Sequence, residues 1–330
     1  MNIYDISKKA GVSIATVSRV LNNSSRVSEK TREKVLQVMQ EHEYQPNAFA
    51  RGLGLNTMHT IGLLCADVAD PFLAQAISHL ERQLRAHGYD CLLCCTGYDR
   101  QNRERDMALL MSRRVDALIF VGSNFISQRE KENQYIIRAA QQLPVMLLNG
   151  RLDGENIYCT LLDDEKASFD ATQLLISRGS KRPAYLYHIP SYGSERKKAG
   201  FERALLASGI AASPDHAQLI SIPSSADALD QFMQGHPDVD GVLVSDDALG
   251  VAMLKCAMRH NLRVPDDLMI VGYNNSGMAS CCEPELTSVD NKLESMCTQT
   301  VSALMGVLDG QELPRTVIFS GDIIERGSTR

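Results

Sequence analysis

The chain has 330 residues and a formal net charge of −6. That length exceeds one comfortable core and predicts two or three domains. No apolar run is long enough to cross a bilayer, and a helical pattern starts within a few residues of Met1, so neither a membrane span nor an export leader is expected. The charge is divided unevenly. Residues 1–56 hold 8 Lys and Arg against 5 Asp and Glu, a net +3, which leaves −9 for the remainder. A basic head on an acidic body suits a protein that meets a polyanion at one end only.

Residues 4–22 read as two short helices around a tight turn. Ile6 and Ala10 lie one helical turn apart, and Val17 and Leu21 repeat the spacing after the break. Gly11 supplies the positive φ between the helices, and Ser13 caps the second. Beyond that cap Ile14, Ala15, Thr16, Ser18, Arg19 and Asn22 form a surface suited to phosphates and to base edges in a major groove. A third amphipathic helix spans 28–43, capped by Ser28, with Val35, Val38 and Met39 closing a three-helix core.

The string Asp5-Ile-Ser-Lys-Lys-Ala-Gly-Val-Ser, then Thr16-Val-Ser-Arg-Val-Leu-Asn, Val27-Ser, Thr31-Arg and Tyr44-Gln-Pro-Asn resembles the headpiece and hinge of the LacI/GalR repressor family. The resemblance extends over essentially the whole chain. It divides the sequence into a headpiece (1–46), a hinge (47–58) and an effector-binding and dimerisation body (59–330). It implies that Tyr4, Ser13, Thr16, Ser18, Asn22, Thr31 and Asn47 contact phosphates and that Ile14 and Ala15 vary with operator sequence. Arg19 is the candidate for a bidentate contact to guanine. Ala50 belongs to the hinge, and Leu53 fits the leucine that wedges into the minor groove.

From residue 60 strands and helices alternate. Strands are predicted at 59–65, 89–96, 115–122 and 144–149, with helices at 71–88, 101–113 and 128–142 between them. A second set has strands at 182–188, 218–223, 241–245, 268–273 and 286–291, with helices near 195–208, 225–235 and 247–260. A helix at 293–308 and a last strand near 315–325 follow. This is the signature of α/β lobes with doubly wound parallel sheets, joined to a small all-α head. The resemblance implies a body like periplasmic sugar-binding proteins of type I. Its N-terminal lobe would take about 59–162 and 292–320, its C-terminal lobe about 163–291 and 321–330, with crossings near Leu162, Asn291 and Gly321.

Ligands of open parallel sheets lodge at the carboxyl ends of the strands. Asp70 and Phe72 follow the first strand, where a carboxylate accepts hydroxyl protons and a ring stacks on a sugar face. Asn149 ends the fourth strand. Arg196 and Lys197 resemble the position where the family carries a ligand-binding arginine, with Lys197 in register, so either side chain is a candidate. Asp246 matches a family Asn-Asp step, and Asn274 follows Val271-Gly-Tyr. Such groups suit a neutral polyol, since donors and acceptors are both present.

The 9 cysteines are an odd number set mostly in apolar runs, which predicts structural free thiols in a reducing cytoplasm. Cys91 and Cys94 point to opposite faces of their strand. The Gly-x-Gly-x-x-Gly, Gly-x-Ser-x-Gly and His-Glu-x-x-His patterns are missing, and His188 and His236 read as isolated surface residues. No cofactor, metal or catalysis is expected. The expected partners are a pseudo-palindromic DNA duplex, a carbohydrate-like effector and a second copy of the chain, the last because no leucine-heptad tail follows. Two functions remain: an effector-controlled DNA-binding repressor, and a sugar-binding module whose head lacks operator recognition.

Overall fold

The computed structural model describes residues 2–21, 24–44, 57–211, 213, 216–220 and 225–329. Helices α1 (Ile3–Ala10), α2 (Ile14–Leu21) and α3 (Glu29–Glu41) form the head. Asn2 caps α1 reciprocally with Asp5, and Gly11 ends it at φ 64°. Ser13 Oγ accepts from the Thr16 N–H at 3.1 Å, which starts α2. The head's core is Ile6, Ala10, Val17, Val20, Val35 and Met39. Val20, rather than Leu21, completes the buried stripe of α2; Leu21 and Val38 are only partly covered. Each large apolar side chain in so small a core contributes about 1.5–3 kcal/mol, so few can be lost.

The body contains two six-stranded sheets. The first is built from β1 (Thr60–Cys65), β2 (Asp90–Cys95), β3 (Ala117–Val121), β4 (Val145–Leu148) and β5 (Ile157–Leu162), with β11 (Thr316–Phe319) returning to its edge. Its order is β11-β5-β4-β3-β1-β2, and every pairing is parallel. Helices α4 (Pro71–Ala86), α5 (Arg100–Ser112) and α6 (Gln134–Ala140) connect its strands. The second sheet contains β6 (Pro183–Tyr187), β7 (Ala217–Leu219), β8 (Gly241–Val244), β9 (Met269–Tyr273), β10 (Thr287–Asp290) and β12 (Asp322–Ile324). It runs β12-β10-β9-β8-β6-β7 and is parallel except for β12. Helices α7 (Asp164–Ser177), α8 (Tyr192–Ala207), α9 (Ser225–Gly235), α10 (Asp247–Arg259) and α11 (Gly277–Ser280) belong to this lobe, and α12 (Leu293–Leu308) packs back on α4 of the first. The chain thus passes between lobes after β5, between β10 and α12, and between β11 and β12.

Four elements depart from the pattern read in the sequence. The strand β5 and helix α7 were not anticipated, although β5 is buried along its whole length. The buried stripe of α7 is Ala167, Ser168, Ala171, Thr172 and Leu175, small residues that give little amphipathic contrast. Their size lets α7 and α8 approach so closely that a Cβ on Gly200 would overlap the carbonyl oxygen of Glu165. The helix expected over 128–142 is confined to α6, because the Asn133 side chain accepts from the Ser127 N–H and donates to the Ser127 carbonyl, holding the preceding segment in a tighter turn. The last strand is two strands in different lobes, broken at Gly321. All 9 cysteines are free thiols, and Cys95 and Cys281 are exposed rather than buried.

Candidate functional site

The head presents one face suited to DNA. Tyr4 is exposed at 66%, and Ile14, Ala15 and Arg19 are exposed along α2. Thr16 and Ser18, half-buried, flank the Val17 anchor. The two Ser-x-x-Thr caps are built alike. Ser13 and Thr16 hydroxyls lie 2.9 Å apart at the start of α2, and Ser28 and Thr31 hydroxyls lie 2.9 Å apart at the start of α3. Both sit at positive helix ends, where backbone N–H groups and hydroxyls suit phosphate oxygens. Arg32, not singled out in the sequence, donates to the Ser24 carbonyl at 2.8 Å and steadies the segment after α2. Asn22, Asn47, Ala50 and Leu53 lie outside the described residues.

The second site lies between the lobes. The carboxyl ends of β1, β3, β6, β8 and β9 open onto a cleft of about 740 Å³. Asp67, Asp70, Phe72, Tyr98, Arg103 and Asn124 line it from the first lobe, and His188, Asp246, Asn274 and Met278 from the second. A deeper recess of about 100 Å³ adds Ser123, Asn149 and Lys197. The lobes touch beside it, where Ser123 Oγ donates to Ser191 Oγ at 3.1 Å.

Several predicted residues serve both helix and cleft. Asp70 caps α4, with Oδ1 accepting from the N–H groups of Phe72 at 2.8 Å and Leu73 at 3.1 Å. Burial raises its pKa despite those bonds. Asp246 caps α10 through the Leu249 N–H at 3.0 Å and accepts from Ser245 Oγ at 2.9 Å. Its other partner is His188, whose Nδ1 lies 3.0 Å away. Burial opposes charge on both, yet each stabilises the other: the His188 pKa rises and that of Asp246 falls. Each favours the charged form of the other, and His188 is not the isolated residue that the sequence suggests.

Asn274 has φ 91°, and its Oδ1 accepts from Asn291 Nδ2 at 2.9 Å. That fixes the amide with its own Nδ2 available to a ligand. Asn149, at φ 63°, donates its backbone N–H to the Thr160 carbonyl and stands at the recess. Phe72 is half-buried, with one part of its ring on the first lobe's core.

Arg196 and Lys197 separate cleanly. Successive helix residues point about 100° apart. Lys197 turns inward: Nζ donates to the Ser245 carbonyl at 2.9 Å and stands 3.6 Å from the centre of the Tyr273 ring. Burial lowers its pKa, against the pull of Asp164, which Tyr273 Oη holds at 2.7 Å. Arg196 turns away from the cleft and pairs with Glu165 at 2.5 Å. It is not a cleft residue.

The structure also adds groups that the sequence did not flag. Arg103 reaches across to the Asn124 carbonyl at 2.8 Å and the Tyr98 carbonyl at 2.9 Å. Its Nε and the Nδ2 of Asn124 are both buried without a hydrogen-bond partner. Buried donors left without acceptors are costly, and both belong to residues that line the cleft. The Asp247 carboxylate, by contrast, is consumed by the Ser276 N–H and Ser288 Oγ, each at 2.6 Å. The wall thus offers carboxylate acceptors and amide donors, with its one imidazolium paired and its arginine bound to carbonyls. That composition suits a neutral polyhydroxy compound better than a phosphate.

A helix-turn-helix head on a two-lobed body with an interlobe cleft defines a class: regulators that join a DNA-reading domain to a small-molecule-binding body. Comparisons with known proteins agree. The pattern of bacterial regulatory proteins of the lacI family matches residues 2–47, and that of a periplasmic binding protein-like domain matches 172–329. An HTH-type transcriptional regulator of Lachnoclostridium phytofermentans is 46% identical over 331 residues, covering 100% of this chain and 99% of that protein. The chain belongs to the LacI family of transcriptional regulators. Among solved structures, a complex of the transcriptional regulator CelR with cellobiose is 26% identical with a TM-score of 0.73, covering 99% of both chains. The lac repressor dimer bound to operator and the anti-inducer ONPF shares the fold at a TM-score of 0.87 and 23% identity, covering 100% of this chain and 99% of that one. Among the described residues no helix is long and apolar enough to cross a membrane.

Proposed function

We propose that this protein is a cytoplasmic, dimeric transcriptional repressor whose affinity for a pseudo-palindromic operator is set by a sugar or glycoside held between the lobes. The observation that carries the reading is the cleft that both lobes share, lined by Asp70, Phe72 and Asn124 from one lobe and by Asp246 and Asn274 from the other. A ligand satisfying groups on both lobes favours one arrangement of the lobes, and so one spacing of the heads that two chains present to DNA. In this reading Arg19 reads guanine, Tyr4, Ser13, Thr16, Ser18, Asn22, Thr31 and Asn47 hold phosphates, and Ile14 and Ala15 meet thymine methyl groups. Leu53, with Ala50 beside it, enters the minor groove between two half-sites. The exposed edge strand β2, with Leu92 at 39% and Leu93 at 42% exposure, supports docking of a second copy. Cellobiose in the CelR complex supports a carbohydrate in the cleft.

Fluorescence anisotropy with duplexes from upstream of the protein's own gene cluster, in the presence and absence of a carbohydrate panel, tests the reading. Tight, salt-dependent binding to one palindrome, shifted ~5–150-fold by one sugar, is the expected result. Operator must weaken that sugar by the same factor. No specific duplex binding under any ligand would leave a sugar-binding module without operator recognition.

A further inference from the structure

Helix α10 begins at the cleft with its Asp246 cap and ends roughly 20 Å away, at 1.5 Å per residue, beside α9. At that far end Cys256 and His260, one helical turn apart, face Asp230 of α9. Cys256 Sγ donates to Asp230 Oδ1 at 3.2 Å, and His260 Nε2 lies 3.0 Å from the same oxygen. The ligand atoms of all three lie within 4.8 Å of one another. Around a tetrahedral ion with bonds of roughly 2.0–2.3 Å, neighbouring ligand atoms stand roughly 3.3–3.6 Å apart. The side chains therefore need only small rotations to surround one.

We propose that Cys256, His260 and Asp230 form a binding site for a zinc-like divalent cation, with water as the fourth ligand. A thiolate, an imidazole and a carboxylate make a borderline-soft set that favours Zn²⁺ over Mg²⁺ or Ca²⁺. Thiolate and carboxylate together supply two negative charges against the ion's two positive ones. Entry is open, since the side chains of Asp230 and His260 are 28% and 26% exposed while Cys256 is buried. Arg259 completes the arrangement from outside. Its Nη2 and Nε also reach Asp230 Oδ1, at 2.9 and 3.2 Å, while Nε lies 3.1 Å from Oδ2. An ion taking Oδ1 displaces the guanidinium from that oxygen and leaves it on Oδ2, as outer partners of metal ligands are placed. Its hydrogen bonds already keep the Asp230 carboxyl ionised, down to about 2. A thiol ligates such an ion only as the thiolate, so binding releases its proton.

Cobalt(II) added to the full-length reduced protein reads this site by spectroscopy. The expected result is one ion per chain, with a sulfur-to-cobalt charge-transfer band and tetrahedral visible transitions, displaced by Zn²⁺. Cys256→Ser abolishes the band, His260→Gln weakens binding by at least about tenfold, and Cys281→Ser leaves it unchanged. If the buried Cys256→Ser variant fails to fold by circular dichroism, His260→Gln, at a partly exposed position, carries the test. A band that survives His260→Gln at full affinity, or no band at millimolar cobalt, overturns the proposal and leaves a hydrogen-bonded clasp between α9 and α10.

Discussion

Replacing Asp246 with Asn removes one charge from the cleft wall and keeps the shape of the side chain. The cap on α10 survives, because an amide oxygen accepts from the Leu249 N–H as a carboxylate does. What changes is the side facing His188. There the amide presents N–H groups to an imidazole that in the native protein lies 3.0 Å from a carboxylate, which favours its charged form. With side chains only 16% and 18% exposed, solvent replaces little of that interaction. His188 in the variant must shed its proton or stay charged without a partner. The His188 pKa is raised in the native fold, so its contribution to stability is complete below the ordinary imidazole value and vanishes as pH rises through the raised one. The Asp246 pKa is lowered, so its contribution is present above the ordinary carboxylate range and is lost as pH falls. The window therefore runs from about pH 4 to somewhat above pH 6.5. Holding the ring neutral one unit below its ordinary pKa costs about 1.4 kcal/mol. Asp246→Asn should thus destabilise by about 1–3 kcal/mol at pH 5.5 and by well under 1 kcal/mol at pH 8.5. The chain has no tryptophan, so urea unfolding followed by far-ultraviolet circular dichroism is the suitable assay. An equal loss at both pH values, or a larger one at pH 8.5, would refute the charged pair.

Three further outcomes are expected. Arg19→Ala should leave unfolding within about 0.5 kcal/mol of the native protein, since the side chain is exposed, yet weaken operator by roughly 1–3 kcal/mol and relax preference at one base pair; equal weakening on all sequences would make Arg19 a phosphate contact. Asn124→Ala removes an orphan donor and should weaken the effector by about 1–3 kcal/mol in isothermal titration without loss of operator affinity; unchanged effector binding would move the ligand elsewhere in the cleft. Gly200→Ala gains about 1 kcal/mol of helix propensity but drives a Cβ into the Glu165 carbonyl, so thermal unfolding should show a net destabilisation of about 1–3 kcal/mol. A stabilised variant would mean that α7 and α8 can part freely.

The head was legible because its rules are local. Gly11, Ser13 and Ser28 act within four residues of themselves, and the buried stripe repeats every turn. The strand ends that carry Asp70, Asn149, Asp246 and Asn274 were legible for a similar reason, since a parallel strand fixes which end opens onto the cleft. Where contrast along the chain was weak, the reading failed. The small-residue stripe of α7 gives no amphipathic period, and its reason for existing is Gly200, which lies beyond the helix itself.

The pairings that give the cleft and the far end of α10 their chemistry are distant in sequence. His188 meets Asp246 across 58 positions, Arg103 reaches the Asn124 carbonyl across 21, and Asp230 meets Cys256 across 26. No local pattern encodes such partners. By itself the sequence determined the class of head, the alternating α/β body and the strand ends that open onto the cleft, because helix caps, periodicity and strand direction are short-range properties. The tertiary structure alone decided that Lys197 turns inward and Arg196 outward, that His188 stands against Asp246, and that two donors of cleft-lining residues are buried unpartnered. Those outcomes depend on burial and on which side chains from separate elements are brought within 3 or 4 Å of each other.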